Sequence, residues 1–177
     1  MPWLSYSAVC NRLLLVLACL WLPACADYRF TVNDKVLYTP DTLFSGYDIV
    51  DAGLRACVKQ TVSDGSLTSA SQLDELNCSH AGVADLQGLE IFTGLTRLKL
   101  SSNAITDLSP LSELQLLSEI HLDGNQIASL SAIRLLSNLS YINVSGNPQL
   151  NCTELANLAR APSLKLKLPV HCKSQTQ

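Results

Sequence analysis

The sequence predicts a solenoid of the α/β class, in which short units stack along one axis. The first observation is an apolar frame that recurs four times at a spacing of 22 residues. Its two central positions hold, in turn, Leu76 and Cys78, Leu98 and Leu100, Ile120 and Leu122, and Ile142 and Val144. The second observation is an outer apolar set at the same spacing, as in Leu89, Leu111, Ile133 and Leu155. Because one such unit cannot bury its apolar face alone, neighbouring units must share a continuous core.

Each unit combines a strand with a short helical turn. In the tripeptide from Leu98 to Leu100, the alternation directs both leucines inward and the lysine outward. Asn103 follows where the chain leaves the strand, and its amide can satisfy backbone groups that the turn buries. Ser109 and Pro110 are typical of a helix cap followed by the first helical position. We therefore predict a short helical turn on the opposite side of the unit.

The frame from Leu95 to Ile105 reads L-x-x-L-x-L-x-x-N-x-I, which is the signature of leucine-rich repeats. With the run from Thr106 to Leu111 that follows, the unit resembles the 22-residue repeats of bacterial surface proteins of the internalin-like type. The resemblance covers roughly residues 45 to 172. It implies a right-handed solenoid with a parallel sheet on its concave side and short 3-10 or helical turns on its convex side. It also implies that the concave side binds another macromolecule.

We divide the chain into five segments. They are a signal peptide at 1–24, a tether at 25–46, an N-terminal helical cap at 47–72, leucine-rich repeats at 73–160 and a C-terminal cap at 161–177. The cap helix is predicted from Asp48 to Val62, because Leu54, Cys57 and Val58 fall on the same helical face as Val62. The tether carries no repeat, and its apolar residues leave open a second interpretation in which it packs partly on the cap helix.

The amino terminus is predicted to be an export signal. An apolar run from Leu13 to Leu22 follows Arg12 and is too short to span a bilayer as a helix. The Leu-Pro-Ala-Cys sequence at 22–25 resembles a bacterial lipobox, and cleavage there would leave Cys25 as a lipidated first residue. The alternative is ordinary secretion, because an A-x-A-like site ends at Ala26 and its cleavage would release a soluble protein.

Cysteine usage agrees with export. Once the signal is removed and Cys25 is lipidated or lost, four cysteines remain, and an even number in an exported domain suggests disulfides. They allow three connectivities, of which we favour Cys57–Cys78 and Cys152–Cys172. The cap helix would bring Cys57 to the inward position of Cys78, and Cys172 would close the tail onto the last complete unit. A zinc site is disfavoured because the chain has no paired C-x-x-C spacing.

Outward strand residues form the predicted binding surface. The central column is Asn77, Lys99, His121, Asn143 and Lys165; the column before it is Glu75, Arg97, Glu119, Tyr141 and Ser163; and the column after it is Ser79, Ser101, Asp123, Ser145 and Lys167. The predicted binding residues are Glu75, Asn77, Arg97, Lys99, Glu119, His121, Asp123, Tyr141 and Asn143. Tyr141 and Arg97 stand out because tyrosine and arginine dominate binding hot spots. The alternative is a solvated face, with Arg97 paired to a neighbouring glutamate and Lys99 to Asp123.

The sequence supports no catalytic arrangement, and we predict that the protein is not an enzyme. His121 between Glu119 and Asp123 is the set that could suggest metal or acid–base chemistry. Residues two apart on a strand, however, are separated by about 6.5 Å, which is long for shared ligation of one ion. Lys99 on the neighbouring strand would also repel a cation. We therefore predict no metal ligand and no cofactor, and the glycines show no phosphate-binding pattern.

We predict a non-enzymatic binding module of the bacterial cell envelope, with a protein or glycan partner on the concave face. Removing Arg12 with the signal leaves 12 − 1 = 11 basic side chains against 15 acidic ones, and this charge of −4 argues against nucleic acid. The predicted location is a membrane reached through lipidated Cys25, with the outer membrane favoured because alanine follows the cysteine; a secreted or periplasmic soluble protein is the alternative. The alternative function is a structural envelope lipoprotein without a discrete ligand, which the face's low aromatic content favours.

Overall fold

A computed structural model describes residues 30–32, 35–38, 43–158 and 164–175. The chain falls into two compact units that divide between residues 41 and 42. In the first unit, strands β1 (Phe30–Val32) and β2 (Lys35–Tyr38) pair in antiparallel fashion. The predicted signal peptide, with Cys25, lies outside the described residues.

The second unit contains a five-stranded parallel sheet. Across the sheet the strands are β3 (Glu75–Asn77), β4 (Arg97–Lys99), β5 (Glu119–His121), β6 (Tyr141–Asn143) and β7 (Lys165–Lys167). From β3 to β6 each residue pairs with the residue one repeat later, so that the inward residues Leu76, Leu98, Ile120 and Ile142 stand in one row. The predicted leucine-rich-repeat solenoid with a parallel sheet is thereby confirmed.

Helical turns connect the strands. The described α-helices are α1 (Ala52–Asp64), which precedes β3, and α2 (Cys152–Leu158), which lies between β6 and β7. The 3-10 helices are Ala70–Gln72, Leu89–Ile91, Ser109–Glu113, Ser131–Ile133 and Val170–Gln175. The 3-10 helix at Ser109–Glu113 contacts both the one before it, Leu89–Ile91, and the one after it, Ser131–Ile133. Their alignment confirms the predicted row of short helical turns.

One continuous apolar core runs through the stacked units. The outer apolar set is fully buried in each unit, at Leu89, Leu111, Ile133 and Leu155. The inward strand residues are buried as well, and all belong to the same cluster. No single unit could keep these side chains away from water without its neighbours, which is the physical reason for the repeat.

A ladder of asparagines closes the turns that follow the strands. Asn125 donates from Nδ2 to the carbonyl oxygens of Leu100 and Leu122, both at 3.0 Å. Its Oδ1 accepts from the backbone N–H of Ile105 at 3.1 Å. The same set of bonds recurs one unit earlier and one unit later, at Asn103 and Asn147. The prediction that these amides satisfy buried turn groups is confirmed.

Helix α1 begins later than the sequence predicted, at Ala52 instead of Asp48, because Asp51 caps it. One carboxylate oxygen of Asp51 accepts from the Leu54 N–H at 2.8 Å, and the other accepts from the Ala84 N–H at 2.9 Å. Burial alone would raise the pKa of Asp51, but backbone N–H donors, Ala84 foremost, hold that pKa below its ordinary value. The buried face of α1 consists of Leu54, Val58 and Val62, as predicted, whereas Cys57, predicted on the same face, is half-buried.

Two disulfides tie down the ends of the solenoid, and both have the predicted connectivity. Cys57–Cys78 joins α1 to the residue after β3. Cys152–Cys172 joins the start of α2 to the 3-10 helix at Val170–Gln175. Covalent closure therefore occurs where the stacking of identical units stops.

The turn at Ser109 begins differently from the prediction. Leu108 occupies the N-cap position and Ser109 is already helical, so the assignment of Ser109 as the cap is wrong. The reason is Asp107, whose carboxylate accepts from the hydroxyl of Ser109 and, at 2.9 Å, from its N–H. These two bonds, that of the hydroxyl foremost, lower the pKa of Asp107. Pro110 is consequently the second residue of the helix instead of the predicted first, although it still lies in the first turn.

Strand β7 is displaced by two residues from its predicted register. Lys165 pairs with Tyr141 and Lys167 with Asn143, a step of 165 − 141 = 24 residues, so the placement of Lys165 beside Asn143 is wrong. The cause lies in α2, which replaces the 3-10 turn of earlier units. An α-helix rises about 1.5 Å per residue against about 2.0 Å for a 3-10 helix, so the connection needs more residues.

Candidate binding face

The outward side chains of β3 to β7, together with the outward residues just after them, form one polar surface that we name the sheet face. All nine predicted binding residues lie on it. One row across the strands is Glu75, Arg97, Glu119 and Tyr141, and the next row is Asn77, Lys99, His121 and Asn143. Because neighbouring strands are about 4.8 Å apart, each side chain stands next to its equivalents in the adjacent units. The structure therefore brings the predicted residues together as one patch.

An ion-pair cluster occupies the end of the sheet face nearest α1. Arg97 Nη2 lies 2.6 Å from Glu75 Oε2, and Lys99 Nζ lies 2.8 Å from Glu75 Oε1. The expected reach of Lys99 to Asp123 is not seen. The hydrogen bond from Lys99 first, and that from Arg97 second, lower the pKa of Glu75 below its ordinary value. The cluster is partly exposed, so it fixes the positions of three side chains without stabilising the fold strongly.

Replacing Glu75 by glutamine is expected to destabilise the domain at neutral pH by about 0.5–1 kcal/mol, since its ion pairs with Arg97 and Lys99 are lost. The effect is small because these ion pairs are partly exposed to solvent. A carboxyl whose pKa is lowered by folding stabilises above its ordinary pKa, and this contribution disappears as pH falls through the lowered value. The difference between wild type and Glu75→Gln should therefore vanish in acid and shrink in high salt. Urea unfolding at several pH values measures it, with exposed Glu113→Gln as the control. A difference that persists in acid would contradict the ion-pair explanation.

An aromatic and acidic cluster occupies the middle of the sheet face. His121 Nε2 lies 2.6 Å from Glu119 Oε1. The imidazole also contacts the ring of Tyr141, with ring centroids 5.0 Å apart and planes inclined at 38°. Three neighbouring side chains are thus held against one another, and Tyr141 is half-buried as a result. A tyrosine fixed in this way loses little conformational entropy when a partner packs on it.

Asp123 anchors a third cluster, in which its partners are neutral side chains. Its Oδ1 accepts from the hydroxyl of Ser101 at 2.8 Å and from the amide of Asn143 at 2.7 Å. Asn143 in turn accepts from the hydroxyl of Ser145 at 2.8 Å. Asn143 is 5% exposed, so it positions Asp123 more than it presents a surface of its own. Its outward register position gave no sign of this burial in the sequence.

The possible metal ligands do not converge on the sheet face. Within the described residues, the one group of histidine, cysteine and acidic side chains close enough for an ion is Cys152, His171 and Cys172. Its two sulfur atoms are bonded to each other, and His171 Nε2 lies 3.1 Å from the Leu150 carbonyl oxygen. His171 directly precedes Cys172 in the sequence, and closure of the disulfide brings its imidazole to the Leu150 carbonyl oxygen.

An open depression of about 380 Å³ lies beside this disulfide. It is lined by Gly146, Asn147, Pro148, Pro169, Val170 and His171. The amide of Asn147 is engaged in the asparagine ladder, so His171 is the remaining side chain there with a polar group. The depression offers little to orient a ligand, and the sheet face remains the better candidate.

Comparison with known proteins supports the predicted resemblance. Residues 49–165, more than half of the chain, match the protein family described as Endo-beta-N-acetylglucosaminidase EndoS LRR domain. An internalin (InlF) of Listeria monocytogenes is similar at 30% identity and a TM-score of 0.59, covering 68% of this chain and 36% of that chain. An internalin C2 (InlC2) of the same organism is similar at 26% identity and a TM-score of 0.57, and the match covers 67% of this chain and 55% of the internalin chain.

The matches cover only part of each related protein. The chain spans about a third of the length of the first internalin and about half of the second. No curated protein matches the chain in sequence. Among the described helices, none has the length and apolar character needed to cross a bilayer. The comparisons therefore establish that residues 49–165 form a leucine-rich-repeat domain.

Proposed function

The chain belongs to the leucine-rich-repeat family described as the EndoS LRR domain, and from this premise we propose that it is a non-enzymatic binding module of the bacterial cell envelope. Its partner is a protein or a glycan, bound through the sheet face. The matched family is the repeat domain of a glycosidase, and the match concerns that domain. Fold alone does not determine function, so the proposal depends on the arrangement of the side chains.

The observation that carries the proposal is the preorganisation of the sheet face. Its charged and aromatic side chains on β3 to β6 and just after β5 are held in three clusters, centred on Glu75, His121 and Asp123, by hydrogen bonds and by the ring contact of Tyr141 with His121. These clusters stand on a sheet whose opposite side is a closed core. A rigid polar surface with an exposed arginine and a fixed tyrosine favours binding, because few side chains must be ordered when the partner docks.

We further propose that lipidated Cys25 anchors the module, with the outer membrane as the favoured location and residues 25–46 as the connection. The internalin-like relatives support an exported, surface-exposed protein. The support for lipidation is the lipobox-like sequence before Cys25. A secreted or periplasmic soluble form is the alternative. Membrane fractionation of wild type and Cys25→Ala decides between them, because only an anchored chain should leave the membrane when the cysteine is replaced.

Crosslinking capture from bacterial envelope fractions tests the binding proposal. The exported chain should capture a partner, and Arg97→Ala/Glu119→Ala/Tyr141→Ala should reduce capture at least about tenfold, as expected for hot-spot residues. The melting temperature should fall by only a few degrees, because none of the three side chains belongs to the apolar core, although Glu119 and Tyr141 are half-buried. The matched control is Glu113→Ala/Arg134→Ala/Leu135→Ala, which removes exposed side chains of similar type away from the sheet face. Equal capture by both triple variants would refute the sheet-face assignment.

A structural role without a discrete ligand is the second candidate. It is favoured by the scarcity of aromatic side chains on the sheet face, where Tyr141 is the single large one among the described residues. Such a component would stack on itself or on neighbouring proteins. Sedimentation of the exported chain distinguishes the two, because a monodisperse monomer at high concentration is not expected of a self-stacking component.

A further inference from the structure

Some charged side chains of the sheet face have hydrogen-bond or ion-pair partners, and others do not. Glu75 binds both Arg97 and Lys99, Glu119 binds His121, and Asp123 accepts from two neutral side chains. Lys165 and Lys167 on β7 are exposed, and their side chains make no hydrogen bond or ion pair with any described residue. In the described part of the sheet face they are the charged side chains without a partner. This end of the face therefore carries an excess of positive charge.

The surroundings of the two lysines leave that charge uncompensated. Lys165 stands beside Tyr141 and Lys167 beside Asn143, neither of which carries a negative charge at neutral pH. Strand β7 is the last strand of the described sheet, so no further strand supplies a carboxylate. The acidic side chains nearest in register are Glu119 on β5 and Asp123 just after it, both two strands away. Glu119 is bound to His121, and Asp123 already accepts from Ser101 and Asn143. The charge excess is thus built into the order of the strands.

We propose that Lys165 and Lys167 bind an extended acidic peptide segment of the partner, with carboxylates at alternate positions. This inference rests on the proposed function, since it names the chemistry of one part of that partner. Two lysines at positions i and i+2 of a strand project about 6.6 Å apart, and alternate side chains of an extended peptide repeat at the same distance. Carboxylates of such a segment can therefore meet both ammonium groups at once, while Tyr141 contacts the apolar part of the segment.

The geometry favours a peptide over an anionic glycan and over a second copy of this chain. Tyr141 is the one large aromatic ring of the described sheet face, and His121 at 5.0 Å between centroids covers part of it. The face therefore offers little aromatic surface on which a sugar ring could stack, whereas a peptide needs only an edge contact with Tyr141. A second copy would bring its own β7 lysines against these, and such like-charge contact is how lysines prevent edge-to-edge pairing of strands. An acidic strand meets neither obstacle, so it is the occupant whose charge and repeat distance both fit.

Fluorescence anisotropy with the full exported chain tests the proposal. The probe is a labelled octapeptide of alternating threonine and glutamate. We expect saturable binding that weakens with added salt, and an affinity about fivefold to tenfold lower for Lys165→Gln/Lys167→Gln, because two exposed ion pairs are removed. The control variant Lys59→Gln/Arg134→Gln loses the same charge at exposed positions off the sheet face and should stay within about twofold of wild type.

A second probe of identical composition, with its glutamates contiguous, separates spacing from charge. Tighter binding of the alternating probe supports the proposal. Equal binding of both probes, equal losses in both double variants, or binding of a polyuronate in place of either peptide would overturn it. If the octapeptide fails while the sheet face still captures a partner, the acidic-segment inference is wrong and the binding module stands. If capture fails and the octapeptide binds as expected, the two lysines still form a site for acidic peptides, and the proposed partner in the bacterial envelope is wrong.

Discussion

Replacing Asn125 by alanine is expected to destabilise the solenoid by about 3–5 kcal/mol, since three buried backbone groups lose their partner at about 1–3 kcal/mol each before relaxation. These groups are the carbonyl oxygens of Leu100 and Leu122 and the N–H of Ile105. Asn125 is 4% exposed, so water cannot reach the turn without opening it. Two of the three groups belong to the preceding unit, and the substitution therefore weakens the contact between units. Urea unfolding measures the loss.

The chain offers two matched comparisons for this prediction. Asn138→Ala removes an exposed amide that donates to the Gln115 carbonyl oxygen at 2.7 Å, and it should change the free energy of unfolding by less than about 0.5 kcal/mol. Asn103→Ala should give an intermediate loss, because Asn103 makes the same bonds at a half-buried position that water can partly reach. Equal losses at all three positions would mean that burial of the ladder does not determine its contribution.

The repeat explains why so much of the fold is predictable from the sequence. A residue such as Leu98 recurs in equivalent positions, and its inward orientation must be the same in each unit for the core to be continuous. The asparagine ladder is predictable for the same reason, because each turn presents identical backbone groups. Periodicity therefore transfers one local argument to every unit, and it ceases to do so where the units become unequal.

The errors occur where tertiary structure replaces the periodic pattern. The register of β7 depends on α2 forming a true helix at Cys152–Leu158, which changes the number of residues that the connection needs. The predicted partner of Lys99 is wrong for a different reason. Both Glu75 and Asp123 lie within reach of its strand position, so the repeat pattern does not decide which carboxylate it binds. Asp123 is already hydrogen-bonded by Ser101 and Asn143, and Glu75 is left for the lysine.

The binding roles of the nine sheet-face residues stay a prediction for a related reason. Inward positions are fixed by the need to exclude water, and this requirement acts on every unit alike. Outward positions such as Glu75 and Tyr141 are free to vary, so their identity reflects a partner or only solubility. The repeat determines where these side chains stand, whereas their chemistry has to be tested one cluster at a time.

Removal of the Cys57–Cys78 disulfide is the second change with a large expected effect. Each disulfide closes a loop of about 20 residues, for which the chain-entropy model gives about 3 kcal/mol. The double variant Cys57→Ala/Cys78→Ala should lose about this amount, with a further cost because Cys78 is a buried core residue. Cys152→Ala/Cys172→Ala should lose a similar amount at the other end. Since domains of this size are stable by about 5–15 kcal/mol, removing both should leave the fold marginal.

The location of the damage distinguishes this explanation from a general loss of stability. A solenoid unit contacts only its neighbours, so opening one end need not open the middle. In Cys57→Ala/Cys78→Ala, amide hydrogen exchange should accelerate first in α1, which the disulfide holds against β3, while β5 and β6 remain protected. Wild type treated with a thiol reductant should reproduce the combined behaviour of both double variants, and the reductant should not affect a variant that lacks all four cysteines. A uniform rise of exchange across all strands would show that the disulfide stabilises the whole array instead of its first unit.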